Sequence, residues 1–245
     1  MEWHSRFVQQ AAWTGELRRY LFRRTHMQTA RQVLEVGCGS GAILAGLTSG
    51  AAVHGLDRQP LRLAEARQHA PQVKLVCGNA LWLPYATGVF DITFCHFLLL
   101  WVGDPLQALR EMKRVTCPGG SILALAEPDY AGRVDKPDEL AVLGRWQAES
   151  LRRQGADPAV GSLLPELFRQ AGIRPVETGS LSMDGEHPPG PAERELEWAV
   201  LEADLEGLVP AQEIQRLKLL DEAAWQRGER VLFVPTYWMM GGCDG

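Results

Sequence analysis

An apolar run that ends in three alternating glycines constrains the fold of this 245-residue chain more than any other feature. Residues 33–36 read VLEV, and Gly37, Gly39 and Gly41 follow at once. The run predicts a buried parallel strand, and glycines, which have no Cβ, let the backbone turn sharply and approach a ligand closely. We expect a helix to begin near Ala42, so the segment predicts a strand–turn–helix unit that holds a cofactor.

The glycine loop by itself leaves the cofactor open. Gly37, Gly39 and Ala42 also satisfy the loose dinucleotide pattern G-x-G-x-x-G/A, which is common by chance. Asp57 closes a second predicted strand about twenty residues after the loop, where a carboxylate can bind both hydroxyls of a ribose. That geometry suits NAD as well as other adenosine-containing cofactors.

Strands and helices alternate along the first half of the chain. The predicted strands after the first lie at 53–57, 73–77, 90–95 and 121–126. Pro60 and the Asp104-Pro105 pair mark helix starts between them. This order predicts an α/β protein with a doubly wound, mostly parallel Rossmann-like sheet and a ligand crevice at the carboxyl ends of the strands.

The two ends of the chain carry additional helical patterns. Residues 1–30 are predicted to form a helical cover over the sheet. The segments predicted after Glu127 are helices at 138–153 and 163–171, a strand at 174–182, a loop at 184–191, helices at 192–205 and 211–227, and a strand-like ending at 230–240. We interpret residues 184–229 as a helical cap inserted before the last strand, within a single domain that spans 1–245.

The succession of motifs resembles the class I S-adenosylmethionine-dependent methyltransferases, in particular their small-molecule branch. The matching residues are, in order, Glu35 to Gly41, Asp57, Gly78-Asn79-Ala80, Leu83-Pro84, Phe90-Asp91 and Pro118-Gly119-Gly120. They cover about the first half of the chain. The resemblance implies that the last two strands form an antiparallel pair at the sheet edge. It also implies in-line methyl transfer from S-adenosylmethionine to a small acceptor, which requires no metal.

The resemblance also implies a set of cofactor contacts. Asp57 is expected to hold the ribose, Arg58 to lie beside the adenine, and the backbone of Gly37-Cys38-Gly39 to pass along the methionine portion. Asn79 and Ala80 stand where the family usually has an Asp and a small residue that meet the adenine. Asn is a departure from that pattern, although its carbonyl oxygen can accept the same hydrogen bond.

Three charged or titratable residues are further candidates at the cofactor site. Glu35 is placed to stabilise ammonium and sulfonium charges, and it would repel a pyrophosphate. Arg6 can pair with the cofactor carboxylate through its planar guanidinium, a solvated position being the alternative. His96, directly after the fourth strand, is a candidate general base or cofactor contact, and a purely structural histidine is the alternative.

Acceptor contacts are predicted after the fifth strand and in the cap. Glu127, Asp129 and Tyr130 follow that strand and face the expected crevice. Four tryptophans are candidates for an aromatic pocket, with ordinary core burial as the alternative: Trp146, Trp198, Trp225 and Trp238.

Charge and composition narrow the partners. The net charge of −5 favours a small acceptor over nucleic acid, and the arginines at 18, 19, 23 and 24 fit a solvated helix face. The five scattered cysteines predict reduced thiols and no metal site. With no leader or membrane-spanning pattern, we expect a cytoplasmic protein. An NAD-dependent oxidoreductase and a non-catalytic cofactor-binding module remain the alternatives.

Overall fold

The computed structural model describes residues 3–47, 49–181 and 189–244. Its strands are β1 Gln32–Val36, β2 Ala52–Asp57, β3 Lys74–Cys77, β4 Phe90–Cys95, β5 Thr116–Pro128, β6 Val134–Lys136, β7 Arg174–Leu181, β8 Val231–Phe233 and β9 Thr236–Gly242. Its α-helices are α1 Trp3–Trp13, α2 Gly15–Arg24, α3 Pro60–His69, α4 Pro105–Val115, α5 Ala141–Arg153, α6 Val160–Gln170, α7 Pro191–Leu205 and α8 Ala211–Gln226. None of the helices in the described part of the chain is long and apolar enough to cross a membrane.

Seven strands form one sheet in the order β3-β2-β1-β4-β5-β9-β7. All of them run parallel except β9, which pairs antiparallel with both β5 and β7. The predicted Rossmann-like fold with an antiparallel last strand is confirmed. The strand order reverses between β1 and β4, and a reversal of this kind opens a crevice at the carboxyl ends of the strands.

Alternating side chains along the central strands supply the two main cores. Val33 on β1 packs with α2 through Leu21, whereas its neighbour Leu34 faces the opposite side and packs with α4 and α6, represented by Met112 and Phe168. This alternation follows the period of two of a β-strand. A separate apolar cluster joins α5, α7 and α8 to each other beside the sheet.

The prediction of a helix that begins near Ala42 is wrong. The chain instead makes one 3-10 turn at Leu44–Gly46 before β2 begins at Ala52. The segment is short, and Gly46 and Gly50 within it disfavour an α-helix by about 1 kcal/mol each. The glycine loop therefore leads into a turn, without the amino end of an α-helix behind it.

The strand-like ending predicted at 230–240 is divided between two sheets. β8 pairs with β6 in a separate two-stranded sheet, and β9 alone enters the large sheet. Pro235 lies between them and has no N–H to continue a ladder. Most of the loop predicted at 184–191, together with residue 182, lies outside the described residues.

Candidate functional site

A cavity of about 440 Å³ lies at the carboxyl ends of β1, β2, β3 and β4, on the crevice side of the sheet. It is lined by the ten residues that the sequence assigns to the cofactor: Arg6, Glu35, Gly37, Cys38, Gly39, Asp57, Arg58, Asn79, Ala80 and His96. Residues from five separate segments thus converge on one space. We call it the first cavity.

The glycine loop forms the floor of the first cavity. Gly37 and Gly39 have positive φ angles of 77° and 50°, which other residues adopt at a cost. The N–H groups of Gly37 and Cys38 both donate to the carbonyl of Leu56 on β2. A Cβ on Gly37 would lie 2.6 Å from Leu98 Cδ1, so another residue there would have a strained backbone and would displace the Leu98 side chain.

Asp57 ties this loop to the end of β2. Its Oδ2 accepts from the N–H of Gly39 at 2.9 Å, and its Oδ1 accepts from the N–H of Gln59 at 2.8 Å. A carboxylate oxygen has a further lone pair beyond each of these bonds. Asp57 can therefore hold the loop in place and still accept hydrogen bonds from two hydroxyls of a ligand.

Glu35 presents a buried acceptor to the first cavity. The residue is 3% exposed, and its Oε2 has no hydrogen-bond partner within the described residues. Burial raises the pKa of its carboxyl well above the usual value, while the nearby Arg18 acts in the opposite direction. An unpaired buried carboxylate is costly unless a cation meets it. The position thus suits a positively charged group of a ligand.

Helix α1 forms a roof over the same space. Trp3 and Phe7 line the first cavity, and the Arg62 guanidinium of α3 lies 5.7 Å and 5.1 Å from their ring centres. The ring of His4 stacks on that of His69 with centres 3.6 Å apart. These contacts hold α1 against α3 and limit the access of water to the floor.

Arg6 is 4% exposed, so the solvated alternative considered from the sequence is wrong. Its Nη1 donates to Glu197 Oε2 of α7 at 2.6 Å and to Gln9 Oε1 at 2.7 Å, and its guanidinium lies 4.8 Å from the Trp13 ring centre. Contact between Arg6 and a cofactor carboxylate stays a prediction. The residue joins the roof helix to the helices beside the sheet.

His96 lines the first cavity as a neutral imidazole. Its Nε2 lies 3.0 Å from Thr14 Oγ1. Burial, together with the charge of Arg18, lowers the pKa of His96 to about 3. A group with so low a pKa binds a proton only weakly near neutral pH, so this environment favours a cavity-wall contact over a general base.

The rim of the first cavity near β3 is more open. Asn79 is exposed, and its Oδ1 accepts from the N–H of Leu81 at 3.0 Å. Its amide N–H groups and the second lone pair of Oδ1 remain for a ligand. Ala80 is buried beside it and, like the exposed Arg58, lines the wall.

A second cavity of about 610 Å³ adjoins the first. Arg6, Phe97 and Tyr130 line both. The second cavity lies between α1, α7, α8 and β8, and most of its other walls are apolar. A small molecule in the second cavity would therefore lie next to the contents of the first cavity, beside these three side chains.

Phe97 forms part of the shared wall in an unusual backbone conformation. Its φ angle is 52°, a region that residues other than glycine adopt at a cost and that often marks functional sites. Glu127, fully buried, stabilises the turn: its Oε1 accepts from the N–H of Leu98 at 3.0 Å and its Oε2 from the N–H of Leu99 at 2.9 Å. Glu127 thus positions Phe97.

The three predicted acceptor contacts are separated by the structure. Tyr130 lines both cavities, and burial raises its pKa to about 12, so its phenol is neutral. Glu127 and Asp129 line neither cavity. Asp129 is 9% exposed, and its Oδ1 accepts from the N–H of Gly132.

Two of the four tryptophans predicted for an aromatic pocket, Trp198 and Trp225, line the second cavity. Trp146 packs within the cluster of α5, α7 and α8, and Trp238 is buried in the sheet core. The sequence missed Trp13, Arg133 and Arg194 as wall residues. They come from distant segments, and no short motif surrounds them.

Comparisons with known proteins agree with this geometry. The family model described as "Methyltransferase domain" matches residues 34–124. The demethylmenaquinone methyltransferase of Geobacillus kaustophilus is 32% identical over 184 residues, which cover 64% of this chain and 76% of that protein. This chain belongs to the class I S-adenosylmethionine-dependent methyltransferases.

Other relatives match this methyltransferase over less of their length. The malonyl-[acyl-carrier protein] O-methyltransferase of Halorhodospira halophila is 36% identical over 99 residues, which cover 38% of this chain and 34% of that protein. Phosphoethanolamine N-methyltransferase 2 of Haemonchus contortus, solved in complex with S-adenosyl-L-methionine, has a TM-score of 0.58 at 16% identity, with coverage of 92% of this chain and 51% of that chain. That likeness shows the fold alone.

The first cavity fits S-adenosylmethionine better than a dinucleotide. Glu35 Oε2, which is buried without a partner among the described residues, suits the positive charge of an ammonium group. A pyrophosphate is usually held at the amino end of a helix after the glycine loop. Here the loop is followed by the 3-10 turn at Leu44–Gly46, and a buried carboxylate lies beside it. S-adenosylmethionine is the cofactor of this methyltransferase.

Proposed function

We propose that this methyltransferase transfers a methyl group from S-adenosylmethionine to a small molecule that binds in the second cavity. One observation carries the proposal: the space assigned to the cofactor and an apolar cavity of about 610 Å³ share Arg6, Phe97 and Tyr130 as a wall. Cavities of several hundred cubic ångströms suit small ligands.

Each predicted cofactor contact has a matching position in the first cavity. We propose that Asp57 binds the ribose hydroxyls, and that Arg58, Asn79 and Ala80 surround the adenine. The Gly37-Cys38-Gly39 backbone would lie along the methionine portion.

Charged and neutral groups at the other end of the first cavity complete the proposed set. Glu35 would pair with the ammonium of the cofactor, because its Oε2 is buried without a partner among the described residues. Arg6 is the proposed partner of the cofactor carboxylate, and its position on the shared wall allows this. His96 would contact the cofactor as a neutral ring.

The chain's own contribution to the reaction is position and the exclusion of water. When bound, the cofactor supplies a methyl group on a positively charged sulfur, which an acceptor atom displaces in line. Helix α1 covers the floor, and the two spaces adjoin at Arg6, Phe97 and Tyr130, where the acceptor atom would reach the methyl group directly. Holding the reactants in this way accounts for most of what such a displacement needs.

The wider setting is also proposed. The net charge of −5 favours a small acceptor over nucleic acid, and we place the protein in the cytoplasm. We propose one domain over 1–245, with residues 1–30 as its cover and 184–229 as its cap. Residues 184–188 of that cap lie outside the described part of the chain.

Isothermal titration of the full chain with S-adenosylmethionine and S-adenosylhomocysteine tests the cofactor part. We expect both to bind with one site per chain. Incubation with methyl-labelled S-adenosylmethionine and separate small-molecule, RNA and DNA fractions then tests the acceptor class. Label in the small-molecule fraction is expected, and label confined to nucleic acid would contradict the proposal. Binding without any transfer would favour a non-catalytic module.

A further inference from the structure

The two cavities differ in the polar atoms that they leave unpaired. Within the described residues, the first cavity has a buried acceptor without a partner, Glu35 Oε2. The second has a buried donor without one, the Nε group of Arg194, and the unpaired Nε of Arg6 lies on the wall that both cavities share. Buried donors without partners cost free energy that a ligand acceptor can recover. The polarity of the second cavity is therefore opposite to that needed for a cation.

The acids on the wall of the second cavity already have donors. Glu193 accepts from the N–H of Gly190 at 2.8 Å, and Glu197 accepts from Arg6 at 2.6 Å. Asp221 accepts from Trp198 Nε1 at 2.8 Å and also pairs with a neighbouring arginine. These carboxylates are consequently poor candidates for recognising a charged amine.

Two of the four arginines that line the second cavity are fully used within the protein. Arg133 donates to both oxygens of Asp135, at 2.8 Å and 3.0 Å, and to Gln147 at 2.6 Å. Arg230 bridges Asp135 and Asp221. Both side chains are 2% exposed. They build the wall and have little capacity left for a ligand.

The other two arginines retain donors. Arg194 on α7 makes a long 3.6 Å pair with Glu222 and one 3.3 Å hydrogen bond to the carbonyl of Pro189, while its guanidinium lies 5.8 Å from the ring centre of Trp225. Arg6 is held by Glu197, one turn further along α7. Arg6 also lines the first cavity and is the proposed partner of the cofactor carboxylate, whereas Arg194 lines the second cavity only. The inference therefore depends on Arg194.

The rest of the second cavity suits a flat apolar body. Its walls include Trp13, Phe97, Trp198 and Trp225 together with aliphatic side chains such as Leu143. Aromatic rings bury large apolar area and pack well against other planar groups. Guanidinium in turn matches the planar geometry of a carboxylate.

Resting on the proposed function, we infer that the acceptor is an apolar, planar molecule that carries a carboxylate, and that Arg194 binds this carboxylate. Arg194 is then a residue that sets acceptor specificity. The methyl-accepting atom is a different part of the molecule, directed toward the wall formed by Phe97 and Tyr130.

The test compares 2-naphthoate with its neutral analogue 2-naphthamide by isothermal titration of the full chain, with and without saturating S-adenosylhomocysteine. A charge-assisted hydrogen bond contributes about 1.5–3 kcal/mol, which is about 10- to 100-fold in affinity. We expect naphthoate to bind at least about tenfold more tightly than naphthamide. Equal binding of the acid and the amide would overturn the inference, as would absence of naphthoate binding.

Variants locate the effect. R194Q should weaken naphthoate by about tenfold and leave naphthamide and S-adenosylhomocysteine unchanged. R216Q removes an equally charged, exposed side chain of α8 that pairs with Glu213 outside both cavities, and it should change none of the three. If R194Q fails to fold, the comparison of acid and amide on the wild-type chain decides. Failure of S-adenosylhomocysteine to bind counts against the proposed function, whereas the naphthoate titration without it still tests the inference.

Discussion

The Oδ2 atom of Asp57 accepts a hydrogen bond from the backbone N–H of Gly39 across 2.9 Å. This bond joins the end of β2 to the glycine loop that follows β1. Asp57, which is proposed to bind the ribose, therefore also fixes the loop on which the methionine portion would lie. Affinity and loop geometry are therefore coupled at this point. Variants of either residue need a measurement of stability alongside one of binding.

Glu35→Gln is expected to separate cofactor affinity from stability. The amide keeps the size of the side chain but cannot balance an ammonium charge, so S-adenosylhomocysteine should bind about tenfold or more weakly. The unliganded variant should melt at the same temperature or higher, because the buried carboxyl with its raised pKa has no partner among the described residues. Titration calorimetry and thermal melting measure the two effects.

The control ligand for Glu35→Gln is 5′-methylthioadenosine, which lacks the amino-acid portion. Its affinity should be equal in the wild type and the variant. A variant that binds S-adenosylhomocysteine as tightly as the wild type would show that Glu35 does not meet the ammonium.

His96 is expected to remain neutral from pH 5 to pH 8, because burial lowers its pKa to about 3. Its imidazole nitrogen resonances should stay constant across this range in an NMR titration, with His96→Gln used to assign them and free imidazole as the reference. A midpoint near pH 6.5 would restore the general-base role that the sequence suggests.

Gly37→Ala and Gly119→Ala form a matched pair. Both glycines have φ near +78°, at 77° and 79°, but a Cβ on Gly119 meets nothing within 4 Å, whereas one on Gly37 meets Leu98 on the wall of the first cavity. Each variant should lose about 1–2 kcal/mol of stability from backbone strain. Only Gly37→Ala should also weaken S-adenosylhomocysteine binding. Equal affinities in the two variants would contradict the assignment of the glycine loop as the floor of the cofactor site.

Glu127→Gln is expected to destabilise the fold by about 1–3 kcal/mol, because an amide can accept from only one side and leaves the N–H of Leu98 or Leu99 unpaired. Burial raises the pKa of Glu127 to about 7 from 4.5. Between these values the folded chain holds a proton that the unfolded chain releases, so the wild-type free energy of unfolding falls as pH rises. The gap between wild type and variant in urea unfolding should be larger at pH 5 than at pH 7.5, and a gap that grows with pH would refute this account.

Local signals were enough to predict the large sheet. The apolar run before Gly37, the proline at the start of α3 and the Asp104 cap of α4, whose Oδ1 accepts from the N–H of Gln107, each act within a few residues. The position of the crevice followed from these signals, because the carboxyl ends of parallel strands meet at one edge. Its cofactor contacts were predicted from the resemblance to the methyltransferase family.

Features that depend on distant pairing could not be predicted. Strand β6 has only three residues and exists through its pairing with β8, almost a hundred residues later. A binding role for Arg194 follows only from its position beside Trp225 on the wall of the second cavity. The sequence around Arg194 indicates neither contact. The burial of Arg6 likewise depends on Glu197, 191 residues away.

Calorimetric titration of Asp57→Ala with S-adenosylhomocysteine tests the central assignment most directly, with Asp138→Ala as the control, since Asp138 has an 83% exposed side chain outside both cavities. The loss of two charge-assisted hydrogen bonds to the ribose predicts an affinity at least about 100-fold lower than that of the wild type and of the control. A folded Asp57→Ala chain that binds with wild-type affinity would contradict the account.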